Sequence, residues 1–236
     1  MNKWRTLIIG AGQIGKALYE VLSPYYDTAI VDKHEKPITK DVDIMHICFP
    51  YSKNFVKEVK RYQKLYKPRI TVIHSTVPVG TSRKCNACHS PVRGMHPYLA
   101  ESIRTFVKFV GGKKADLVAE YFRRANIKAY ICRKSETTEL GKLLSTTYYA
   151  VCIEYVKYAE KLCEKYKVPF SEAFTLFNLT YNEGWTKLGH PEYQRPTLVP
   201  IQRKQGGHCT LPNCDLLEFK FTKLIKELNE KQDEIQ

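Results

Sequence analysis

The chain has no long hydrophobic run. Nothing in it approaches the ~18 uninterrupted apolar residues of a membrane-spanning helix. The opening, MNKWRTLIIGAG, lacks the marks of a secretory leader, because its apolar run stops at a glycine and no small-residue cleavage site follows. Acidic residues are in deficit: 24 Asp and Glu face 38 Lys and Arg, a formal net charge of +14. The basic residues are nevertheless scattered among acidic ones, and no dense basic run interleaves with aromatics, so a nucleic-acid surface is not expected. A solvated basic face fits better, as does one that steers an anionic cofactor or substrate. A complete metal-ligand pattern is missing too. Cys85-Asn-Ala-Cys88-His89 spells both a haem attachment motif and half a zinc site, but the first needs export and the second needs two more ligands. His96, His208, Cys209 and Cys214 are not spaced as a second knuckle, so no metal is expected, and Cys85 and Cys88 read as exposed thiols. These absences lead to the expectation of a cytoplasmic protein with eight cysteines kept as thiols.

What remains is an ordinary globular composition, 43% hydrophobic and 26% charged, long enough at 236 residues to bury a sizeable core. The pattern of Thr6 to Ile9 predicts a short strand. GAGQIG follows directly, and then the amphipathic stretch KALYEVL. In Gly10-Ala11-Gly12-Gln13-Ile14-Gly15 the first glycine permits a tight turn, and the second lets backbone approach a pyrophosphate. The third lets the helix pack on the strand, and the helix start offers free amides. A second strand, TAIVD, ends in Asp32, which lies 17 residues past the third glycine, where a carboxylate hydrogen-bonds ribose hydroxyls. A carboxylate there repels a 2′-phosphate and favours NAD over NADP; Lys33 beside it weakens the preference.

Further alternating units follow: a buried strand within Asp43 to Pro50, a helix from Asn54 to Tyr66, and a strand from Arg69 to His74. Strands around Val107 to Val110 and Lys128 to Cys132 flank a helix at Ala115 to Arg124. Repeated βα units predict an α/β fold, a doubly wound parallel sheet of the Rossmann kind. Ligands on such sheets lie beyond the carboxyl ends of the strands, which assigns Gly10, Asp32, Phe49, Pro50, Ser75 and Thr76 to one cofactor rim.

The loop STVPVGTS, Ser75 to Ser82, resembles the matching stretch of UDP-glucose/GDP-mannose dehydrogenases. DIMHICFP, ETTELGKLLSTTYYAVCIEYVKYAEKLCEKYKV and QGGHC resemble the same family's ribose-side strand, long central helix and active-site cysteine segment, in the same order. The resemblance implies oxidation of a nucleotide-sugar alcohol to an acid with two NAD+. In such enzymes a thiol attacks the intermediate aldehyde, a second hydride transfer leaves a thioester, and water releases the acid. Carried over, it makes Cys209 the nucleophile and Lys142 the oxyanion stabiliser, with Thr76 and Gly80 near the nicotinamide. Thr146 stands where relatives have asparagine, Asn213 where they have aspartate (Asp215 is close), and Val92 where they have glutamate. The resemblance also implies that the relatives' third, nucleotide-sugar-binding domain has no counterpart here. Two alternatives therefore stay open: a two-electron hydroxyacid-type dehydrogenase with Lys142 as acid-base, and a non-catalytic NAD-binding module.

Apolar residues at Leu140, Leu143, Leu144, Val151, Tyr155, Tyr158 and Leu162 predict one helix of about 30 residues, roughly 45 Å long. It would carry a smaller all-helical domain, giving a dinucleotide-binding domain at 1–134 and a substrate and dimerisation domain at 135–236. The resemblance implies a homodimer around this helix. Phe170 to Tyr181 predicts a further helix. Asn182 to Gly207, with three prolines and four glycines, reads as a long active-site loop whose Arg195, Arg203 and Lys204 offer anion contacts to a small anionic substrate. On the long helix Glu139 and Lys142 share a face at i, i+3, as a surface ion pair would. Cys209 precedes a short helix, capped by Thr210 or Asn213, where the dipole and a nearby lysine favour thiolate. His208 is either a base or a loop residue, and His96 either touches substrate or hydrogen-bonds backbone at a strand end.

Overall fold

The computed structural model describes residues 4–32, 41–201 and 210–230. Strands β1 (Arg5–Ile9), β3 (Ile44–Ile47) and β4 (Ile70–Ile73) are buried almost throughout, as parallel strands covered on both faces must be. β2 (Asp27–Val31) pairs with β1, and β1 with β3, in register Ile9↔Val31 and Ile9↔Ile47, so the carboxyl ends of these strands lie level.

Successive side chains point to opposite faces, and each face meets its own helices. On one face Ile8, Ile44 and Val72 pack with Leu18 and Leu22 of α1 (Gln13–Leu22). Ile103 of α4 (Leu99–Thr105) and Val118 and Phe122 of α5 (Ala115–Arg124) complete that layer. On the other face Leu7, Ile9, Met45 and Ile47 pack with Phe55, Val59 and Tyr62 of α2 (Phe55–Tyr66). That helix stops at Lys67, which is left-handed with φ 46°, ahead of Pro68, which cannot continue it.

The sheet has seven strands in the order β2-β1-β3-β4-β5-β6-β7, with β5 at Cys88–His89, β6 at Lys108–Gly111 and β7 at Ala129–Cys132. It is the α/β doubly wound sheet expected, with two additions. β5 was too short to show as a strand pattern, and it pairs antiparallel with β6, so β6 and β7 run against the rest. α3 (Thr81–Lys84) and β5 also bury the two thiols read as exposed: Cys85 is 1% and Cys88 3% accessible, and burial raises both thiol pKa values, Cys85 to about 11.

Helix α6 (Ser135–Tyr166) has 32 residues, matching its predicted length. The chain divides into two compact units, Met1–Lys142 and Leu143–Gln236. In the second, Ala150 of α6 packs with Cys214 of α8 (Thr210–Cys214) and Ile225 of α9 (Lys220–Glu230). After a π-helical turn at Ser171–Leu176, α7 (Phe177–Lys187) runs past the end expected at Tyr181. Trp185 explains the extension: its ring packs on Tyr181, His190 and Tyr193, so continuing the helix buries aromatic surface that the sequence pattern did not weigh. No helix among the described residues is long and apolar enough to cross a membrane.

Candidate active site

The carboxyl ends of β1 to β4 form the rim that the sequence pointed to. Gly10, with φ 103°, makes the turn out of β1 and donates its amide to Val31 O at 2.8 Å, which sets Asp32 beside the turn. Exposed Asp32 and Pro50 and half-buried Thr76 lie at the ends of their strands. A Cβ on Gly10 would meet Phe49 N at 3.0 Å, and one on Gly15 would meet Gly10 O at 1.8 Å, so both glycines are fixed by close approach. Gly12 is the opposite case, since a Cβ there meets nothing within 4 Å. It caps α1 without a side-chain hydrogen bond, and no acidic residue lies in the first turn. Half-buried Ala11 and Ile14 and exposed Gln13 complete the turn. The α1 N-terminus therefore offers amides with no intrahelical acceptor and a positive dipole end below a Gly12 that, among the described residues, faces open space, a fit for a dinucleotide pyrophosphate. Phe49 turns its ring into the core, 5.0 Å from Phe55, and leaves its carbonyl to accept the Ser75 hydroxyl at 2.5 Å.

The loop after β4 is held from α6. Glu139 is 1% accessible, and its two carboxylate oxygens accept the amides of Gly80 at 2.6 Å and Ser82 at 2.7 Å. This corrects its reading as a surface partner of Lys142: it caps the start of α3 and occupies that helix terminus. Lys142, one turn further on, donates to Val92 O at 3.0 Å.

Behind the rim lies a set of basic groups that the sequence reading missed. Lys108, 3% accessible, donates to Ser90 O at 2.8 Å and Pro91 O at 3.3 Å and lies 3.2 Å from His74 Nδ1. His74 Nε2 lies 2.8 Å from His46 Nδ1, and His46 Nε2 is buried without a partner. His89 is bonded to Thr138 Oγ1 at 2.8 Å and Ser75 O at 3.2 Å. Burial disfavours charge on each of them. It lowers Lys108 to about 7, His46 and His89 to about 3, and His74 well below its usual value. A histidine in the otherwise apolar IMHI strand was the available signal.

In the second unit Asn213 Nδ2 donates to Thr146 Oγ1 at 3.1 Å, so two predicted site residues meet. Asn213 is buried inside α8 and is therefore not its cap. His96 is exposed in an irregular loop ahead of a cis peptide to Pro97, away from any strand end. Arg195 stacks over Tyr181, 3.8 Å from the ring centre. Lys33, Arg203, Lys204, His208 and Cys209 lie outside the described residues. Among the described residues no group of three or more His, Cys, Asp or Glu side chains could hold a metal ion.

No protein-family model matches the chain, and no curated protein does. Solved structures share its fold. A UDP-D-ManNAc dehydrogenase from Pyrococcus horikoshii aligns with TM-score 0.79 at 18% identity, over 96% of this chain and 68% of that one. A UDP-glucose dehydrogenase from Pyrobaculum islandicum gives 0.72 at 12%, over 99% and 69%. A 3-hydroxyisobutyrate dehydrogenase from Mycobacterium tuberculosis, solved with L-serine, gives 0.70 at 14%, over 99% and 94%. The fold is thus that of nucleotide-sugar and hydroxyacid dehydrogenases, and the chain spans about two thirds of the former's length.

Proposed function

We propose that this protein is a cytoplasmic, NAD-dependent dehydrogenase that oxidises an alcohol on a small anionic, sugar-like or nucleotide-sugar-like substrate. The open space above Gly12, at the uncapped start of α1, carries the reading. Asp32 at the end of β2 supports NAD over NADP, because its carboxylate accepts from ribose hydroxyls and repels a phosphate in their place. A bound nicotinamide supplies the hydride acceptor. Lys142 stabilises the developing oxyanion, and Cys209 acts as the thiol nucleophile on the aldehyde. The seven described cysteines are free, which suits a reducing compartment. A homodimer through α6 is supported by exposed apolar residues along that helix, among them Leu144 at 46% and Tyr155 at 64%.

A second reading has one observation in its favour. The Thr146–Asn213 pair supplies neutral hydrogen-bonding groups where hydrolysis of a thioester calls for a carboxylate base. In that case Lys142 is the acid-base of a single two-electron oxidation. NADH stoichiometry separates the two: two per substrate, lost in Cys209→Ser, against one that is insensitive to iodoacetamide. The cofactor itself is tested with Gly12→Val. Since nothing lies within 4 Å of that Cβ, the melting temperature should hold while NAD affinity, read by calorimetry, falls about a hundredfold or more. Unchanged affinity would refute the cradle.

A further inference from the structure

Residues 90–92, which follow β5, belong to no regular element. Their carbonyls are nevertheless held one after another by two lysines: Ser90 O and Pro91 O by Lys108, and Val92 O by Lys142. Lys108 reaches them from β6 under the ring of Phe122, whose centre is 5.4 Å from its Nζ, with its whole side chain buried. A lysine so enclosed stays only where its donors are used.

We propose that Lys108 is a positioning residue for Lys142, its amine fixing the carbonyl strip from which Lys142 is held. The catalytic consequence rests on the role given to Lys142 above; the mechanical link stands on the distances alone.

Donor counting gives the link a signature. As an ammonium, Lys108 has three protons for three acceptors: Ser90 O, Pro91 O and His74 Nδ1. The His74 proton then sits on Nε2 and is donated to His46 Nδ1, which leaves the His46 proton on Nε2. As a neutral amine, Lys108 has two protons for the two carbonyls and a lone pair for His74. Both rings then carry their protons on Nδ1. Loss of one proton from Lys108 thus reverses two imidazoles that stay neutral throughout.

The charged and titratable groups facing Lys108 come from several elements. His46 and Cys48 belong to β3 and the residue just past its end, His74 follows β4, His89 is in β5 and Lys142 in α6. Burial is the largest influence holding Lys108 down at about 7, Cys48 opposes it, and the charge of Lys142 adds to it. The reversal therefore falls near neutral pH, and removing Lys142's charge moves it upward.

The test is nuclear magnetic resonance on the full chain, carrying 15N in histidine rings and 13C at lysine Cε, titrated from about pH 5.5 to about pH 9. His46 and His74 should exchange Nε2–H for Nδ1–H with the midpoint of the Lys108 Cε signal, and Lys142→Gln should raise that midpoint by about half a unit or more. Tautomers that stay fixed while Lys108 titrates, or a midpoint indifferent to Lys142→Gln, would overturn the proposal. Lys108→Met adds a functional arm. With the fold retained by circular dichroism, kcat for NADH formation should fall about tenfold or more at unchanged KM for NAD, and an unchanged kcat would count against positioning. If that variant does not fold, the titrations of the wild type and Lys142→Gln decide. If the wild type oxidises no alcohol, the proposed function fails, while the titrations still judge the Lys108–Lys142 link.

Discussion

Glu139 shows how much one side chain can hold. Its carboxylate closes two amides at the start of α3, and neither has water to turn to if it is removed. Hydrogen bonds to a charged group contribute about 1.5–3 kcal/mol each. Glu139→Ala should therefore cost on the order of 3 kcal/mol in urea denaturation, and Glu139→Gln, which keeps one acceptor, about half as much. Equal small losses in both variants would mean that the cap is unimportant. The sequence pattern placed Glu139 on the right helix but gave it the wrong neighbour. Spacing along a helix reveals partners three or four residues away, whereas its real partners are 59 and 57 residues distant. Lys108 was hidden for a related reason, because a lysine in a four-residue strand reads as exposed unless the fold above it is known.

Among the elements, α6 was predicted in length but not in orientation. Of the seven apolar residues that marked it as a helix, Leu140, Leu144, Tyr155, Tyr158 and Leu162 are 38–64% accessible, Val151 is half-buried and only Leu143 is buried. From Leu143 the buried side runs on through Thr147, Ala150, Glu154 and Lys157, the last two joined by a buried ion pair of 3.2 Å. Hydrophobicity ranks tyrosine above glutamate and lysine, so a buried ion pair on one face and bare tyrosines on another invert the expected sides. If the bare stripe is a dimer seam, Leu144→Glu with Tyr155→Glu should weaken self-association on the order of a hundredfold in analytical ultracentrifugation, with the helical circular dichroism retained. A wild-type monomer would remove the seam altogether. The glycine turn, by contrast, was legible residue by residue, because φ 103° at Gly10 strains any other residue and a Cβ on Gly15 would lie 1.8 Å from Gly10 O.

For the whole molecule, the buried bases couple stability to pH. Each has a folded pKa below its unfolded value, so between the two the unfolded chain binds the extra proton and stability falls as pH falls. For Lys108 that window runs from 10.5 down to about 7, and for His46 and His89 from 6.5 down to about 3. Urea midpoints should accordingly rise from acid to mildly alkaline pH, with a slope from Lys108 of up to about 1.4 kcal/mol per pH unit above neutrality. Lys108→Met should flatten the alkaline part and make the acid part somewhat shallower, because the Lys108 charge also helps hold His46, His74 and His89 down. A curve already flat above neutrality in the wild type would contradict this. At this scale the order of βα units was readable from the chain because each unit is local. The reversed pair β6 and β7 was not, since direction depends on which edge receives a strand.

The pairing of β5 with β6 through the single couple His89↔Gly111 has a wider consequence. It splits the backbone ladders into two blocks that share almost no amide bonds, so cooperation across the join falls to side chains. The amines of Lys108 and Lys114 reach back over the line, the first to Ser90 O and Pro91 O and the second to Arg69 O. A sheet whose last two strands are stitched on by a titratable group has a continuity that follows the acidity around it.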